Sequence, residues 1–389
     1  MHSAVKRHGH HGLSEIVRKL IHKVGTFFIK NVVLCVATLA AAVTAFIVPP
    51  DAQYLEYFDF KTLTCLFCTL AVVCALRNIR FFTLLAKKIV TVFKNTRASV
   101  LALVYITFLG SMLIANDMAL LTFLPLGYFV LSSTGKQKYM AFTFIMQNIA
   151  ANLGGMLTPF GNPQNLYLYT RFSIPTGEFL LTMLPPFCIS IAAITACCLL
   201  FVKKEPLEVA GEEIRLPVAR TIVYGVLFVL SIVIVFHVVP FWIGLIVVPL
   251  CLLFMDRKAL AQVDYGLLLT FVAFFVFAGN MARIDGVKNF FGGLMEQNPL
   301  LVSVLSCQVI SNVPSAILLA QFTGNYRALL VGVNIGGVGT LISSLASLIT
   351  FRQYVSHDKQ GTGRYVALFS AFNFAFLILL TAVEWLLFL

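Results

Sequence analysis

Charge is scarce in this sequence of 389 residues. Only 11% are Asp, Glu, Lys or Arg, while 59% are hydrophobic; ordinary soluble domains carry roughly a quarter charged residues. That balance excludes a soluble globular fold and indicates a polytopic membrane protein. Acid is scarcer than base, 16 residues against 28, for a net charge of +12. In a soluble chain this excess would suggest nucleic acid. In a membrane chain it records positively charged cytoplasmic loops, and no nucleic-acid partner is expected. Catalytic signatures are missing as well: there is no GxSxG, no HExxH and no Walker glycine loop, so no enzyme is expected. The nine cysteines build no disulfide framework, because all lie in apolar runs where free cysteine acts as a small hydrophobe. Cys65 and Cys68 form a CxxC on an apolar stretch without further ligands, which offers no metal site.

What is present is a series of apolar runs. Residues 1–31 are basic and are expected to be a cytoplasmic segment; its histidine-rich start reads as a solvated tail. A retained first span over 32–48 stops at Pro49-Pro50, and 62–76 forms the second. Residues 81–93, with Lys87 and Lys88 among apolar neighbours, suit an amphipathic helix on the membrane surface. Residues 98–134 are apolar but broken at Asn116-Asp117, which allows a re-entrant hairpin or two complete spans. An interrupted helix over 139–170 and a span over 179–202 complete a first transmembrane repeat, 32–202. A polar cytoplasmic linker follows over 203–220.

The second repeat, 221–389, offers spans near 221–237, 241–255 and 265–281, then a polar interfacial segment over 283–299. A segment over 299–323 breaks at Ser311-Asn312-Val313-Pro314 into arms of about ten residues. Each arm is too short to cross ~30 Å of hydrocarbon at ~1.5 Å per residue. An interrupted helix over 326–352 and a final span from 365 end the chain. Treating 299–323 as a hairpin leaves only Lys61, Arg171, Arg283, Lys288 and Arg327 outside. The positive-inside rule favours that topology, with the N-terminus cytoplasmic and the C-terminus outside in a plasma (inner) membrane. It also turns the second repeat upside down relative to the first. The expected fold is therefore all-α and polytopic, with inverted-topology repeats that each carry a re-entrant helical hairpin and a discontinuous transmembrane helix.

Two stretches organise the chain. Residues 152–165 read NLGGMLTPFGNPQN and residues 334–347 read NIGGVGTLISSLAS. Asn152, Gly154, Gly155 and Thr158 fall on Asn334, Gly336, Gly337 and Thr340 at identical spacing. Glycine and proline unwind a helix, and unwound backbone at membrane depth persists only where protein buries it or it lines a cavity. Paired interruptions in two halves point to a transporter's binding site. Exposed helix ends there suit ions: carbonyl ends suit Na⁺, N-termini suit an anion, and Asn, Ser and Thr oxygens serve either. The candidate residues are Asn116, Asp117, Asn152, Gly154, Gly155, Thr158, Asn162, Asn165, Ser311, Asn312, Asn334, Gly336, Gly337, Thr340, Ser343, Ser344 and Ser347. Bland alternatives stand beside them. Asn116 and Asn312 could serve helix–helix hydrogen bonding, the threonines could bond their own helix backbone, and the serines could simply pack.

On these residues the chain resembles the ion transporter superfamily that includes citrate and dicarboxylate transporters, arsenite permeases and certain Na⁺/H⁺ antiporters. The resemblance implies an elevator-type homodimer that takes a small ion or organic anion through the lipid bilayer, coupled to Na⁺ or H⁺, with no other cofactor. In the dicarboxylate branch each hairpin tip carries Ser-Asn-Thr, which implies Na⁺ at the Asn116 and Asn312 tips. The matching triplets here are Ala115-Asn116-Asp117 and Ser311-Asn312-Val313: both asparagines and one serine match, and neither threonine does. NDMALLTFLP from Asn116 is similar to the arsenite permeases, and GNPQN is similar to the loop end of citrate-type members.

Asp117 discriminates between readings. An intramembrane acid is a functional hypothesis by default, and it would serve an arsenite/antimonite exporter or a cation/proton antiporter. The alternative is a helix N-cap accepting from the next turn. A channel is the less favoured transport reading, since opposed hairpins suggest alternating access. Glu384, beside Trp385, is expected at a membrane–water interface.

Overall fold

The computed structural model describes residues 32–207 and 216–388. The expected cytoplasmic segment 1–31 and residues 208–215 of the expected linker lie outside the described residues. Within them every regular element is helical, apart from one isolated antiparallel bridge between Asn95 and Pro206. The protein is an all-α polytopic membrane protein.

The first half begins with α1 (Val32–Ile47), which stops at the double proline. Asp51 then opens a 3₁₀ turn (Ala52–Tyr57) by accepting from the Gln53 N–H at 3.1 Å. Asp59 caps α2 (Phe60–Asn78) through the Thr62 N–H at 2.9 Å. The short α3 (Phe81–Thr91) lays Lys87 over the Phe129 ring. The pair α4 (Thr96–Ile114) and α5 (Asn116–Ser133) packs as a hairpin, and α6 (Met140–Gly154), α7 (Pro163–Arg171) and α8 (Thr176–Phe201) follow. The second half runs through α9 (Val218–Val235), α10 (Phe241–Met255), α11 (Arg257–Ala261), α12 (Tyr265–Ala282) and α13 (Asp285–Gln297). A second hairpin, α14 (Pro299–Ile310) and α15 (Asn312–Leu319), precedes α16 (Tyr326–Ile335), α17 (Leu345–His357) and α18 (Thr362–Phe388). Among the described residues, α2, α4, α8, α9, α12 and α18 are long and apolar enough to cross a membrane.

Packing separates two neighbourhoods. Helix α1 lies along α12, and α2 lies against α9, α10 and α11. The hairpins pack on the interrupted helices, α4 and α5 on α6, and α14 and α15 on α16, and α15 also packs against α12. The hairpin arms are unequal. Helices α4 and α5 have 19 and 18 residues, whereas α14 and α15 have 12 and 8. At ~1.5 Å per residue neither arm of the second hairpin spans ~30 Å.

Each hairpin turns on a single residue. Ala115 has φ 65° and ψ 151°, and Ser311 has φ 74° and ψ 161°. This region belongs almost entirely to glycine, and holding another residue there costs about 1–3 kcal/mol. The following asparagine restores regular structure. Asn116 Oδ1 accepts from the Asp117 N–H and Asn312 Oδ1 from the Val313 N–H, both at 2.9 Å.

The start of the linker is docked, which its polarity does not suggest. Arg97 Nε donates to the Val202 carbonyl at 2.7 Å, and the Thr96 N–H donates to the Glu205 carbonyl at 2.8 Å. Glu205 holds Lys136 at 2.6 Å, Lys138 at 2.7 Å and the Tyr139 hydroxyl at 3.0 Å. Those hydrogen bonds, Lys136 first, lower its carboxyl to about 2. Glu384 is buried. Its side chain is turned in among the packed residues and is only 2% exposed.

Two outcomes follow for unfolding in detergent. Ala115→Val should lower the midpoint, because a β-branched side chain fits that backbone worse still, whereas Ala115→Gly should not lower it. Because Glu205 is depressed in the folded state, its contribution is present above the ordinary glutamate range and fades as pH falls toward 2. The midpoint gap between the wild type and Glu205→Gln should therefore be widest above about pH 4.5 and close in acid, as followed by thermal unfolding across pH.

Candidate functional site

The two interruptions meet. Helix α6 gives way to a 3₁₀ turn (Gly155–Leu157) and then to irregular chain until Pro163 starts α7, a first helical position where a missing N–H does no harm. Helix α16 ends at Ile335, and Ser344 caps α17 by accepting from the Ser347 N–H at 3.2 Å. Asn334 joins the halves. Its Oδ1 accepts from Asn162 Nδ2 at 3.1 Å and Gln164 Nε2 at 3.3 Å, and its Nδ2 donates to Asn165 Oδ1 at 2.6 Å. A second link runs from Asn148 Nδ2 to Ser347 Oγ at 3.3 Å. Asn116, Asn152, Asn162, Asn165, Asn312, Asn334, Ser343, Ser344 and Ser347 are all buried, none more than 3% exposed.

Several bonds of one half recur in the other. Thr158 Oγ1 donates to the Met112 carbonyl at 2.7 Å, and Thr340 Oγ1 to the Gln308 carbonyl at 3.1 Å. Asn152 Nδ2 donates to the Asn148 carbonyl at 3.1 Å, and Asn334 Nδ2 to the Leu330 carbonyl at 2.8 Å. The first N–H of each second hairpin arm is taken by the loop of its own half: Asn116 by the Gly161 carbonyl at 3.2 Å, Asn312 by the Ser343 carbonyl at 2.9 Å. The correspondence thus extends past the shared glycines to Gly161 and Ser343.

The candidate residues divide by what they touch. Asn116 Nδ2 reaches Asn152 Oδ1 at 3.2 Å, so the first hairpin tip belongs to the amide cluster. Gly337 makes room at its centre. A Cβ there would stand 3.1 Å from Asn312 Nδ2 and 3.5 Å from Asn152 Oδ1, one residue from each half. Gly154 and Gly336 let the hairpin arms approach instead; a Cβ on Gly154 would lie 2.3 Å from the Phe108 carbonyl, and one on Gly336 2.7 Å from Cys307. The threonines bond neither their own helix nor a free site, since both hydroxyls hold a hairpin arm. Ser343 Oγ donates to the Gly337 and Thr340 carbonyls at 3.0 and 2.8 Å, and Ser311 Oγ to the Ser343 carbonyl at 3.2 Å.

Asp117 does not cap α5. No N–H of the next turn reaches its carboxylate, and its Oδ1 is buried without a partner. Its carboxylate also makes no hydrogen bond to the amide cluster. Other oxygens are left over within that cluster: Asn162 Oδ1 and Gln164 Oε1 are buried acceptors with no donor. Both stand at the start of α7 and not at the hairpin tips, where the asparagine oxygens already accept. A buried acceptor without a donor is a ready ligand for a water or a hard cation, so the donor set fits Na⁺. The N-terminal ends of α5, α7, α15 and α17 all border the cluster, and their partial positive charge favours an anion beside them.

Asn148, Gln164, Gln308 and Thr350 were not among the candidates. Asn148 lies one turn before Asn152 on α6, a signal that the sequence contains. Gln308 threads the second loop: its Nε2 donates to the Gly336 carbonyl at 2.9 Å and the Val338 carbonyl at 3.2 Å, while Oε1 accepts from the Thr340 N–H at 2.9 Å. Its counterpart by position is Met112, so the repeat gives no hint of it.

Comparison with known proteins supplies the family. A family model described as citrate transporter matches residues 23–326. An uncharacterized transporter of Methanocaldococcus jannaschii is 34% identical over 327 residues, 83% of this chain and 89% of its own length. The inner membrane protein YbiR of Escherichia coli is 29% identical over 290 residues, 72% of this chain and 75% of its own. A membrane chain whose matched half-helices enclose a buried, uncharged polar cluster thus belongs to the citrate transporter family.

Proposed function

We propose that the protein is a secondary active transporter that carries a small anionic solute across the membrane, coupled to Na⁺ or H⁺. The observation that carries this reading is the buried amide cluster centred on Asn334, built from both halves and left with unpartnered acceptors at Asn162 and Gln164. Helix N-termini supply the attraction for the anion, and neutral oxygens supply the ligands for Na⁺. Among the described residues no lysine or arginine hydrogen-bonds to the cluster, so solute would be held by fixed dipoles and released without breaking an ion pair.

The two halves are read as inverted repeats with re-entrant hairpins. The hairpins and interrupted helices then move together past α1, α2, α9, α10 and α12 in an elevator-type exchange within a homodimer. The packing of the hairpins on the interrupted helices supports that division, and the contact of α15 with α12 is a surface along which the groups would slide. A second reading rests on Asp117, whose buried and unpartnered oxygen suits a carrier of the coupling proton or of a cation. An arsenite/antimonite exporter or cation/proton antiporter would use it so.

Uptake into proteoliposomes tests both readings. Citrate, dicarboxylates, sulfate and arsenite should be offered under imposed Na⁺ and pH gradients; no uptake or exchange of any would remove the proposal. Asn334→Ala strips Asn162, Gln164 and Asn165 of their partner and should lower uptake about a hundredfold, because small displacements in a preorganised site have that effect. Unimpaired uptake would place the site elsewhere. Asp117→Asn should abolish pH dependence if the second reading holds, and an unchanged pH profile would exclude Asp117 from coupling.

A further inference from the structure

Base gathers where α4 begins and α8 ends. Residues 202–207 cross that end of the molecule and tie down segments distant in sequence. Beyond the bonds of Glu205, the Leu207 N–H donates to the Lys94 carbonyl at 3.1 Å and the Lys203 N–H to the Tyr139 hydroxyl at 3.3 Å. Asn95 and Pro206 form the isolated bridge between the two segments. Lys94, Arg97, Lys136, Lys138, Lys203 and Lys204 are thereby brought to one rim. The acid bonded to them among the described residues is Glu205, which Lys136 and Lys138 share. Arg97 gives its Nε to the neutral Val202 carbonyl and not to an acid. Lys94, Lys203 and Lys204 are exposed, and their ammonium groups have no partner among the described residues.

Both segments change character at the rim. Val92 and Phe93 are exposed immediately before Lys94, and Leu200 and Phe201, 79% and 57% exposed, come just before Lys203. Leu200 and Phe201 end α8, a helix long and apolar enough to cross the membrane, so their exposed side chains meet hydrocarbon. Lysines one or two residues further along stand at the headgroup layer, where their stems follow the apolar surface and their heads reach phosphate. A soluble anion or an acidic protein would match the charges alone. A phospholipid of net negative charge matches both parts, through its acyl chains and its phosphate.

We propose that this rim preferentially binds anionic phospholipids, whose phosphates pair with Lys94, Lys203 and Lys204 while their acyl chains lie against Val92, Phe93, Leu200 and Phe201. Because these lysines come from both sides of the bridge, bound lipid adds a tie between the start of α4 and the end of α8. Salt screens the attraction between exposed charges, so the preference weakens as ionic strength rises. The binding does not depend on the transport reading above.

The test titrates purified full-length protein in neutral detergent with phosphatidylglycerol and, in parallel, with phosphatidylcholine, counting bound lipid by native mass spectrometry. Phosphatidylglycerol should bind at least about tenfold more tightly. The combined variant Lys94→Gln, Lys203→Gln and Lys204→Gln should weaken phosphatidylglycerol at least about fivefold, the worth of one lysine beside an anionic surface, and leave phosphatidylcholine unchanged. The control Lys258→Gln, Lys288→Gln and Lys359→Gln, at exposed positions outside the rim, should keep the affinity for phosphatidylglycerol. Glycerol phosphate, a headgroup without acyl chains, should not displace the lipid at equal concentration. Equal binding of the two lipids, full affinity in the rim variant, the same loss in the control, or displacement by glycerol phosphate would overturn the proposal.

Discussion

Unwinding a buried helix frees carbonyl and N–H groups that water cannot reach, and each must find a partner inside the protein. Much of the centre of this molecule answers that demand. Asn165 Nδ2 alone faces the carbonyls of Gly155, Met156 and Thr158, at 3.1 to 3.2 Å. Asn162 Nδ2 serves the Asn152 carbonyl at 3.2 Å. In the second half the same demand is met differently, by the Gln308 amide from the hairpin arm and the Ser343 hydroxyl from within the loop. The side chains that look like ligands in the sequence are, for the most part, what allows the backbone to be irregular at all.

That demand narrows what is left for solute. Thr158, Thr340, Ser311 and Ser343 donate to carbonyls, and the tip asparagines accept from the next N–H. The oxygens left over are on Asn162 and Gln164, with Asp117 apart from them. Their location gives the site polarity: the first half contributes Asn162, Gln164 and Asn165, where the second has Ser344, Ala346 and Ser347. A duplicated frame therefore carries an unequal set of amides. Cations and anions approaching the same cluster would meet different chemistry from its two sides.

The frame was legible in the sequence wherever its cause was local. Glycine and proline marked the interruptions at 152–165 and 334–347, and the asparagines at 116 and 312 marked the first residues after each turn. The shared spacing of Asn152, Gly154, Gly155 and Thr158 with Asn334, Gly336, Gly337 and Thr340 foretold that both interruptions would be built alike. What escaped was set by contacts distant in sequence. The threonines reach carbonyls of hairpin arms, Asn148 meets Ser347 in the other half, and Gln308 has no counterpart in the repeat. The burial of Glu384 escaped for the same reason, since it depends on the packing of α18. The docking of Glu205 on Lys136 and Lys138 likewise depends on where the hairpin base lies in space.

The joining of the two halves through Asn334 can be measured by a double-mutant cycle on unfolding stability, with Asn165→Ala, Asn334→Ala and the double variant. A direct bond between buried amides makes the two losses non-additive, with the double variant less destabilised than the sum by about 1 kcal/mol or more. Losses that add within about 0.5 kcal/mol would mean that the interruptions do not touch, contradicting the single shared site.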